Sequence, residues 1–468
     1  MVKNSYDYDL VVLGSGPGGY VAAIRGAQKG LKTAVVEKDA LGGVCLNWGC
    51  IPSKALLKNA AMMHEFKRAD EFGFKLSEVS FDFQKIIKRS REVADVNSRG
   101  VEYLFKKNKI EHIQGTGKLT DPHTITVNDA NGKQKKDIKA DHIIIATGAR
   151  ARAFPKVDFD GKKIITYKEA MTLSGQPERM IVIGAGAIGV EFAYFYNSFG
   201  TEVHLVEMLP HILPVEDSEI AGHLERSFKK QGIKLYTGTR VEKLEKTKQG
   251  VKVTLKNGKK GNEISADIAL VAIGVQGNVE NIGLEELKIK FEKNAIQVNE
   301  YYQTNIPHIY AIGDVIGAPW LAHVASHEGI IAVDHMTGND PHPLNYQNVP
   351  GCTYCQPQVA SIGLTEEKAR GKGYNLKIGR FPFRASGKAR AIGETDGLVK
   401  LIFDARYGEL LGAHILGSEA TEMIAELGIA KALETTNYEL QHTMHAHPTL
   451  SEAVMEAAGD AVGEAIHI

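Results

Sequence analysis

The sequence predicts an α/β chain built from two copies of one strand–turn–helix–strand unit, the second inserted into the first, with an α+β segment after them. Three observations carry that prediction. An apolar run ending in a glycine-rich turn opens the chain, a second run and turn of the same kind begins near residue 180, and beyond residue 346 strand patterns give way to helices. Hydrophobic residues make up 43% and there are 48 glycines, a balance that suits many tight strand-to-helix turns.

In the first unit, Asp9-Leu10-Val11-Val12-Leu13 reads as a buried strand. It runs into Gly14-Ser15-Gly16-Pro17-Gly18-Gly19, a helix to about Gln28, and a strand over Lys32–Val36 that closes on Glu37. This is the dinucleotide-binding fingerprint in its required context. Gly14 permits the sharp turn, Gly16 lets backbone approach a pyrophosphate, Gly19 lets helix pack on strand, and Glu37 can accept from ribose hydroxyls.

Gly42-Gly43-Val44-Cys45-Leu46-Asn47-Trp48-Gly49-Cys50-Ile51-Pro52-Ser53-Lys54 follows at once. Two cysteines lie in a Gly-rich loop that leads into a helical pattern. Pro52 suits the first helical position, which puts Cys50 at or beside a helix N-terminus. Unpaired N–H groups and the helix dipole favour a thiolate there. Cys45 and Cys50 read as an exchangeable disulfide/dithiol pair; the rival reading is two buried, inert cysteines.

Four cysteines in 468 residues make no secreted disulfide framework. A deliberate disulfide in a reducing compartment is catalytic, so the expected location is cytoplasmic, or the mitochondrial matrix after loss of a presequence. The N-terminal stretch from Met1 to Asp9 runs into a strand without a targeting pattern. Lys plus Arg equals Asp plus Glu at 56 each, so no bulk field draws nucleic acid or an anionic membrane. No apolar stretch reaches membrane-spanning length.

Residues 55–109 alternate helical patterns with polar connections, and Lys106-Lys107-Asn108-Lys109 is a solvated face. Gly115-Thr116-Gly117 is a close-approach site after a strand. Residues 141–148 form a buried strand ending at Thr147 and Gly148, small residues that let backbone lie beside a flat ligand.

The pattern then repeats. Met180–Ile183 leads into Gly184-Ala185-Gly186-Ala187-Ile188-Gly189, a helix to about Phe199 and a strand ending at Glu207. Third glycine and acid are 18 residues apart in both copies, and residues 267–274 echo 141–148. Two nucleotide sites beside a dithiol imply electrons passing among a flavin, a nicotinamide and a disulfide. Glu207 pairs with a free ribose 2′-hydroxyl and repels a 2′-phosphate, favouring NAD(H) over NADP(H). Glu37 serves the adenosine ribose of FAD. The strand before Gly313-Asp314 can bring a carboxylate to a ribityl hydroxyl, and the residues after Ala322 start a helix near the flavin. Pro341-His342-Pro343 marks a connection, followed by strands at Gln358–Gly363, Gly397–Asp404 and Leu410–Leu416.

The motifs GSGPGG, GGVCLNWGCIPSK, ATG, GAGAIGVEFA, YAIGD and HAHPTLSE together resemble the pyridine nucleotide–disulfide oxidoreductases along nearly the whole chain. Among them the likeness is strongest to the branch that oxidises dihydrolipoyl groups. The resemblance implies an FAD-binding domain over 1–150 and an NAD-binding domain over 151–279. A central domain over 280–345 completes the FAD site, and an interface domain over 346–468 makes a homodimer. It implies lipoyl domains of a 2-oxo acid dehydrogenase or glycine-cleavage complex as partners.

The resemblance also implies roles. Cys45 is the interchange thiol, and Cys50 the thiol against the flavin. The partner's His447 is the base at each site, oriented by Glu452, whereas His445 is structural. Lys54 lies beside the reactive flavin nitrogen, paired with Glu191. Gly117, Thr147, Gly148, Asp314 and Ala322 fall on FAD-contact positions, Val241 and Gly274 on NAD-contact ones. Val44 and Trp48 depart from the smaller or hydroxylated residues usual in the loop, and arginines often seen after Gly274 are missing. Cys352 and Cys355 read as packing; with Cys45 and Cys50 assigned, no second pair remains to complete a zinc site, and no metal is expected. Glutathione-type and mercuric reductases, or a non-catalytic flavoprotein scaffold, are the alternatives.

Overall fold

The computed structural model describes residues 6–258 and 260–468; Met1–Ser5, where the N-terminal stretch begins, lie outside the described residues. The backbone divides into two compact units. Among the described residues no helix is long and apolar enough to cross a membrane.

Among the described residues, the first unit gathers 6–55, 84–152 and 274–344. Its parallel strands run in the order Glu111–Gln114, Thr33–Glu37, Tyr8–Leu13, the second half of Gln134–Ile145, and Ile309–Ala311. The first half of Gln134–Ile145 turns antiparallel, against Thr124–Asn128 and then Thr116–Asp121. Leu10, Val11, Val12 and Val35 are wholly buried. Both faces of a parallel sheet are covered, so its strands read as continuous apolar runs rather than alternating ones. Helix Pro17–Gln28 starts with proline in its first turn and lies against helix Ala322–Met336. Arg25 and Asp334 join the two helices by paired 2.8 Å hydrogen bonds. Residues after Gly274 return to this unit, where Val275–Gly277 pairs with Ala149–Ala151.

The second unit gathers residues 56–83, 153–273 and 345–468. Its parallel sheet has the order Lys234–Tyr236, Glu202–Val206, Arg179–Ile183, Ile268–Val271, Ile164–Ile165. An antiparallel meander, 240–266, precedes its fourth strand in sequence. A separate antiparallel sheet follows in the order Gly351–Thr353, Gln358–Gly363, Leu410–Gly417, Leu398–Asp404, Leu376–Pro382, covered by helices Ala420–Ala432 and Glu452–Asp460. Phe381, Phe403, Ile415, Leu427 and Val454 pack in its core.

Lys400 points out of that sheet yet is only 2% exposed, and its Nζ lies 2.8–2.9 Å from Asp217, Glu219 and Glu366. Burial works against its charge, but the three carboxylates hold its pKa above the ordinary value. Removing the lysine would leave buried acids unpaired, a loss of about 3–5 kcal/mol.

Candidate active site

The two glycine turns are built by the same sterics. Gly14 takes φ +101°, and a Cβ there would meet Ala146 O at 2.3 Å; one on Gly19 would meet Gly14 O at 2.0 Å. Gly16 has nothing within 4 Å of that position, so its side of the turn is open to a ligand. In the second unit Gly184 takes φ +99° with Ala272 O at 2.4 Å, Gly189 would meet Gly184 O at 1.9 Å, and Gly186 is open. A helix N-terminus with such an opening suits an anion such as a pyrophosphate.

The acids that close these units hydrogen-bond the turns themselves. Glu37 Oε2 accepts from Ser15 N–H at 2.8 Å and Ser15 Oγ at 2.7 Å, and Oε1 accepts from Asp39 N–H at 2.8 Å. Glu207 Oε2 accepts from Ala185 N–H at 2.8 Å and Oε1 from Leu209 N–H at 2.9 Å. Each carboxylate therefore pins its own phosphate turn, and its remaining lone pairs stay available for a ribose hydroxyl.

The other first-unit positions surround the same turn. Thr147 Oγ1 donates to Asn278 O, and Asn278 Nδ2 donates to Thr147 O, both at 2.9 Å. Asn278 N–H also donates to Gly148 O at 2.9 Å. Asn278, which sequence reasoning did not single out, thus clamps the strand end from 131 residues away. Gly148 takes φ +68° with open space beside it. A Cβ on Gly117 would press on Leu13 at 2.8 Å, so its backbone lies against the strand that ends at the turn.

The Asp314 carboxylate makes no hydrogen bond among the described residues, and burial, then the charge of Glu328, pushes its pKa up to about 6. Glu328 meanwhile accepts from Gly313 N–H at 2.6 Å. A desolvated carboxyl without a partner is what a sugar hydroxyl would satisfy. Ala322 opens its helix with no side-chain cap. These residues fit FAD.

Gly274 takes φ +107° with nothing within 4 Å of a Cβ there. Val241 differs from a simple contact residue: its side chain is buried with Ile183 and Val206 in the sheet core, leaving only its backbone for a nucleotide. Gly184, Gly186, Gly189 and Glu207 otherwise fit NAD.

The thiol segment is seated on the first phosphate turn. Gly42 N–H donates to Ser15 O at 3.1 Å and Ser15 Oγ at 3.2 Å, and a Cβ on Gly43 would lie 2.7 Å from Gly16 Cα. Here two local expectations are corrected. Residues Gly43–Trp48, read as loop, form a short helix, because Asn47 Nδ2 donates to Leu41 O at 2.9 Å and Gly43 O at 3.0 Å and closes its first turn. Pro52 is the third, not the first, residue of helix Cys50–Lys67; Cys50 itself is the first. Proline is tolerated anywhere in the first turn, where N–H groups lack intrahelical acceptors.

Cys45 is half-buried and Cys50 exposed. The hydrogen bond to Cys50, then burial, pushes the Cys45 thiol up, while Lys54 pulls it down. Val44 is exposed, and Trp48 carries the Arg91 guanidinium 4.9 Å from its ring centre.

In the second unit, His447 Nδ1 lies 2.9 Å from Glu452 Oε1, and Glu452 Oε2 accepts from Thr449 N–H at 2.8 Å. Burial opposes the charge on Glu452, but the Thr449 N–H and the rings of His447 and His445 hold its carboxyl below the usual range. The His447 side chain is 81% exposed. Its orientation is fixed from one nitrogen while the other faces outward, the arrangement of an oriented base.

His445 is different. It is buried with Nε2 2.6 Å from Glu426 and Nδ1 2.9 Å from Thr443 O, and Glu426 raises its pKa. Both of its ring nitrogens are engaged within the chain. Glu191 is buried and accepts from Tyr354 N–H at 3.0 Å. Cys355 is buried with its sulfur donating to Pro357 O at 3.2 Å, and Cys352 packs on the antiparallel-sheet core. Among the described residues, His64, Glu65 and Glu394 bring ligand atoms within 4.8 Å of one another, but Arg68 already binds Glu394 at 2.6 Å and occupies the cation's place.

Comparison with known proteins agrees with this geometry. The family model described as pyridine nucleotide-disulphide oxidoreductase matches residues 8–329, and the model of that family's dimerisation domain matches 349–458. A dihydrolipoyl dehydrogenase of Zymomonas mobilis is 52% identical over 98% of this chain and 99% of its own length. One from Bacillus subtilis is 47% identical over 98% and 99%. Among solved structures, LpdA from Mycobacterium tuberculosis superposes with a TM-score of 0.89 at 29% identity, covering 96% of this chain and 98% of its own. Two glycine turns of one construction, a thiol pair seated on the first, and these full-length likenesses establish that the chain belongs to the pyridine nucleotide–disulfide oxidoreductase family.

Proposed function

We propose that the chain oxidises protein-bound dihydrolipoyl groups to lipoyl disulfides, with FAD as its bound cofactor and NAD⁺ as the acceptor. The observation that carries the chemistry is the hydrogen-bonded Cys45–Cys50 pair seated on the Gly14–Gly19 turn. The substrate class rests on the dihydrolipoyl dehydrogenases it resembles.

In this reading the resting sulfurs form a disulfide. His447 takes a proton from one substrate thiol, and Glu452 stabilises the imidazolium. The substrate thiolate attacks Cys45 Sγ; the Cys45–Cys50 bond breaks and Cys50 leaves as a thiolate at the start of its helix, where the dipole favours it. The second substrate thiol closes on the mixed disulfide and expels Cys45, which takes up a proton. Two electrons have then moved from substrate to Cys45 and Cys50. Bound FAD supplies the two-electron relay from this dithiol to NAD⁺.

Gly14, Gly16, Gly19, Glu37, Gly117, Thr147, Gly148, Asp314 and Ala322 hold FAD, with Lys54 close to the thiols. Gly184, Gly186, Gly189, Glu207, Val241 and Gly274 hold NAD, and Glu191 lies in the helix that starts there. Glu207 selects against a 2′-phosphate. The chain carries the family's dimerisation domain, and the homodimer supplies the partner's His447 to each thiol pair. The functional division is FAD domain to residue 150, NAD domain to 279, central domain to 345 and interface domain beyond. Lipoyl domains of a 2-oxo acid dehydrogenase or glycine-cleavage complex bring the substrate, in the cytoplasm.

The test is a matched assay of dihydrolipoamide and reduced glutathione, each with NAD⁺ and NADP⁺. Turnover with dihydrolipoamide and NAD⁺ should exceed the other three combinations by about a hundredfold, some 3 kcal/mol of discrimination. Comparable rates with glutathione and NADP⁺ contradict the reading.

A further inference from the structure

Helix Phe83–Lys107 reaches the thiol segment with two arginines. Arg89 Nη1 donates to Ala55 O at 3.1 Å, and Arg91 Nη1 donates to Asn47 O at 2.6 Å. The Arg91 guanidinium also stacks on the Trp48 ring, 4.9 Å from its centre. Asn47 is itself fixed, with its amide on Leu41 O and Gly43 O. Its carbonyl belongs to the last turn of a six-residue helix, where no intrahelical N–H is available. An arginine there caps the helix and complements its negative end.

The break between the two helical segments is Gly49, with φ −141° and ψ −118°. Cys45 lies before it and Cys50 after it, so the separation of the sulfurs follows from how far that break opens. Disulfides tolerate a narrow range of Cα separation, about 4.4–6.8 Å, and distortion makes them more reducible. A six-residue helix is too short to hold its form alone. Arg91 supplies what the segment lacks: a bond on a carbonyl of its last turn and a flat cation over the aromatic ring beside the break.

We propose that Arg91 is a positioning residue for the Cys45–Cys50 couple, holding the Gly49 break at the opening from which the two sulfurs close into a disulfide. The inference rests on the redox reading of those cysteines. It gives Trp48 a purpose: the large residue between the thiols is the surface Arg91 grips. Losing the grip loosens the segment, lowers the effective concentration of one thiol at the other, and shifts the couple toward the dithiol.

The test equilibrates the purified, FAD-loaded homodimer in dithiothreitol redox buffers, traps free thiols by alkylation, and counts oxidised Cys45–Cys50 by mass. For Arg91→Met the equilibrium should move about tenfold toward the dithiol, close to 30 mV for a two-electron couple. Arg91→Lys and Trp48→Leu should each move it about threefold the same way, and the double variant Arg91→Met with Trp48→Leu should match Arg91→Met alone, since both belong to one device. An Arg91→Met couple within twofold of the parent overturns the proposal. Should that variant fail to fold, Arg91→Lys decides: a threefold shift supports the proposal and a smaller one overturns it. If the parent never forms the Cys45–Cys50 disulfide in any buffer, the redox reading falls first, and the role of Arg91 with it.

Discussion

The two nucleotide-binding units share three glycines and a closing acid and differ in the residues set between those glycines. Both put a left-handed glycine under a backbone carbonyl, both press the third glycine against the first, and both pin the turn with an acid that accepts a backbone N–H at 2.8 Å. Of the three positions at which the turns differ, one carries a hydroxyl, and that hydroxyl holds a further segment. Ser15 donates to Glu37 and accepts from Gly42, so the first turn grips the segment carrying Cys45 and Cys50. Alanine stands at the matching position of the second unit, Ala185. One scaffold serves both nucleotides; the chemistry is decided by what is attached to it.

The largest effect that could break this comparison comes from the third glycines. Gly19→Ala should cost the first unit about 3 kcal/mol by overpacking against a carbonyl that cannot move, roughly a hundredfold in FAD retention. Gly189→Ala should leave FAD bound and raise the KM for NAD⁺ instead. FAD loss from both variants alike, measured by release of yellow cofactor on gel filtration, would show that the units do not act separately.

Asp314 gives the next effect. Its pKa is raised to about 6 in the folded protein. A raised carboxyl contributes stability below its unfolded pKa, near 4, that is lost as pH rises through 6. In FAD-free protein Asp314→Asn should therefore gain up to about 3 kcal/mol at pH 8, shrinking to about 1 kcal/mol near pH 4.5. The same variant should bind FAD more weakly, having lost a charged acceptor. Urea melts at the two pH values check the first claim; a gain that does not depend on pH refutes it.

Glu207→Gln keeps the size and one acceptor while removing the charge. The preference for NAD⁺ over NADP⁺ should fall about tenfold, or 1.4 kcal/mol, and an unchanged ratio would refute the role of Glu207. The smallest effect belongs to the hydroxyl that distinguishes the units. Ser15→Ala should weaken FAD binding about fivefold, near 1 kcal/mol for one hydrogen bond, with the KM for NAD⁺ unmoved.

Much of this was legible in the sequence because it is set by short-range sterics. Glycines at Gly14 and Gly184 are demanded by backbone that no other residue adopts cheaply, and Pro52 announced the helix that begins at Cys50. His447 and Glu452 are five residues apart and meet through one local turn. Features closed over long distances left no local trace. The clamp of Asn278 on Thr147 and the grip of Arg91 on Trp48 depend on which elements the sheet and helices bring together. Arg91 sits in a run of helix charges that looks solvated, and nothing beside it announces an aromatic partner. The short helix Gly43–Trp48 was hidden by its glycines, which signal a loop until Asn47 is seen closing the turn. The burial of Val241 was likewise hidden, since its strand alternates with charged residues on the open face.

The central claim is that substrate electrons enter through Cys45. Cys45→Ser tests it most directly, by comparing dihydrolipoamide oxidation with NADH oxidation by an artificial dye in the same preparation. Turnover of dihydrolipoamide should vanish while transfer from NADH to dye persists, because the dye takes electrons without the sulfurs. Equal loss of both activities, or dihydrolipoamide turnover that survives, would contradict the account.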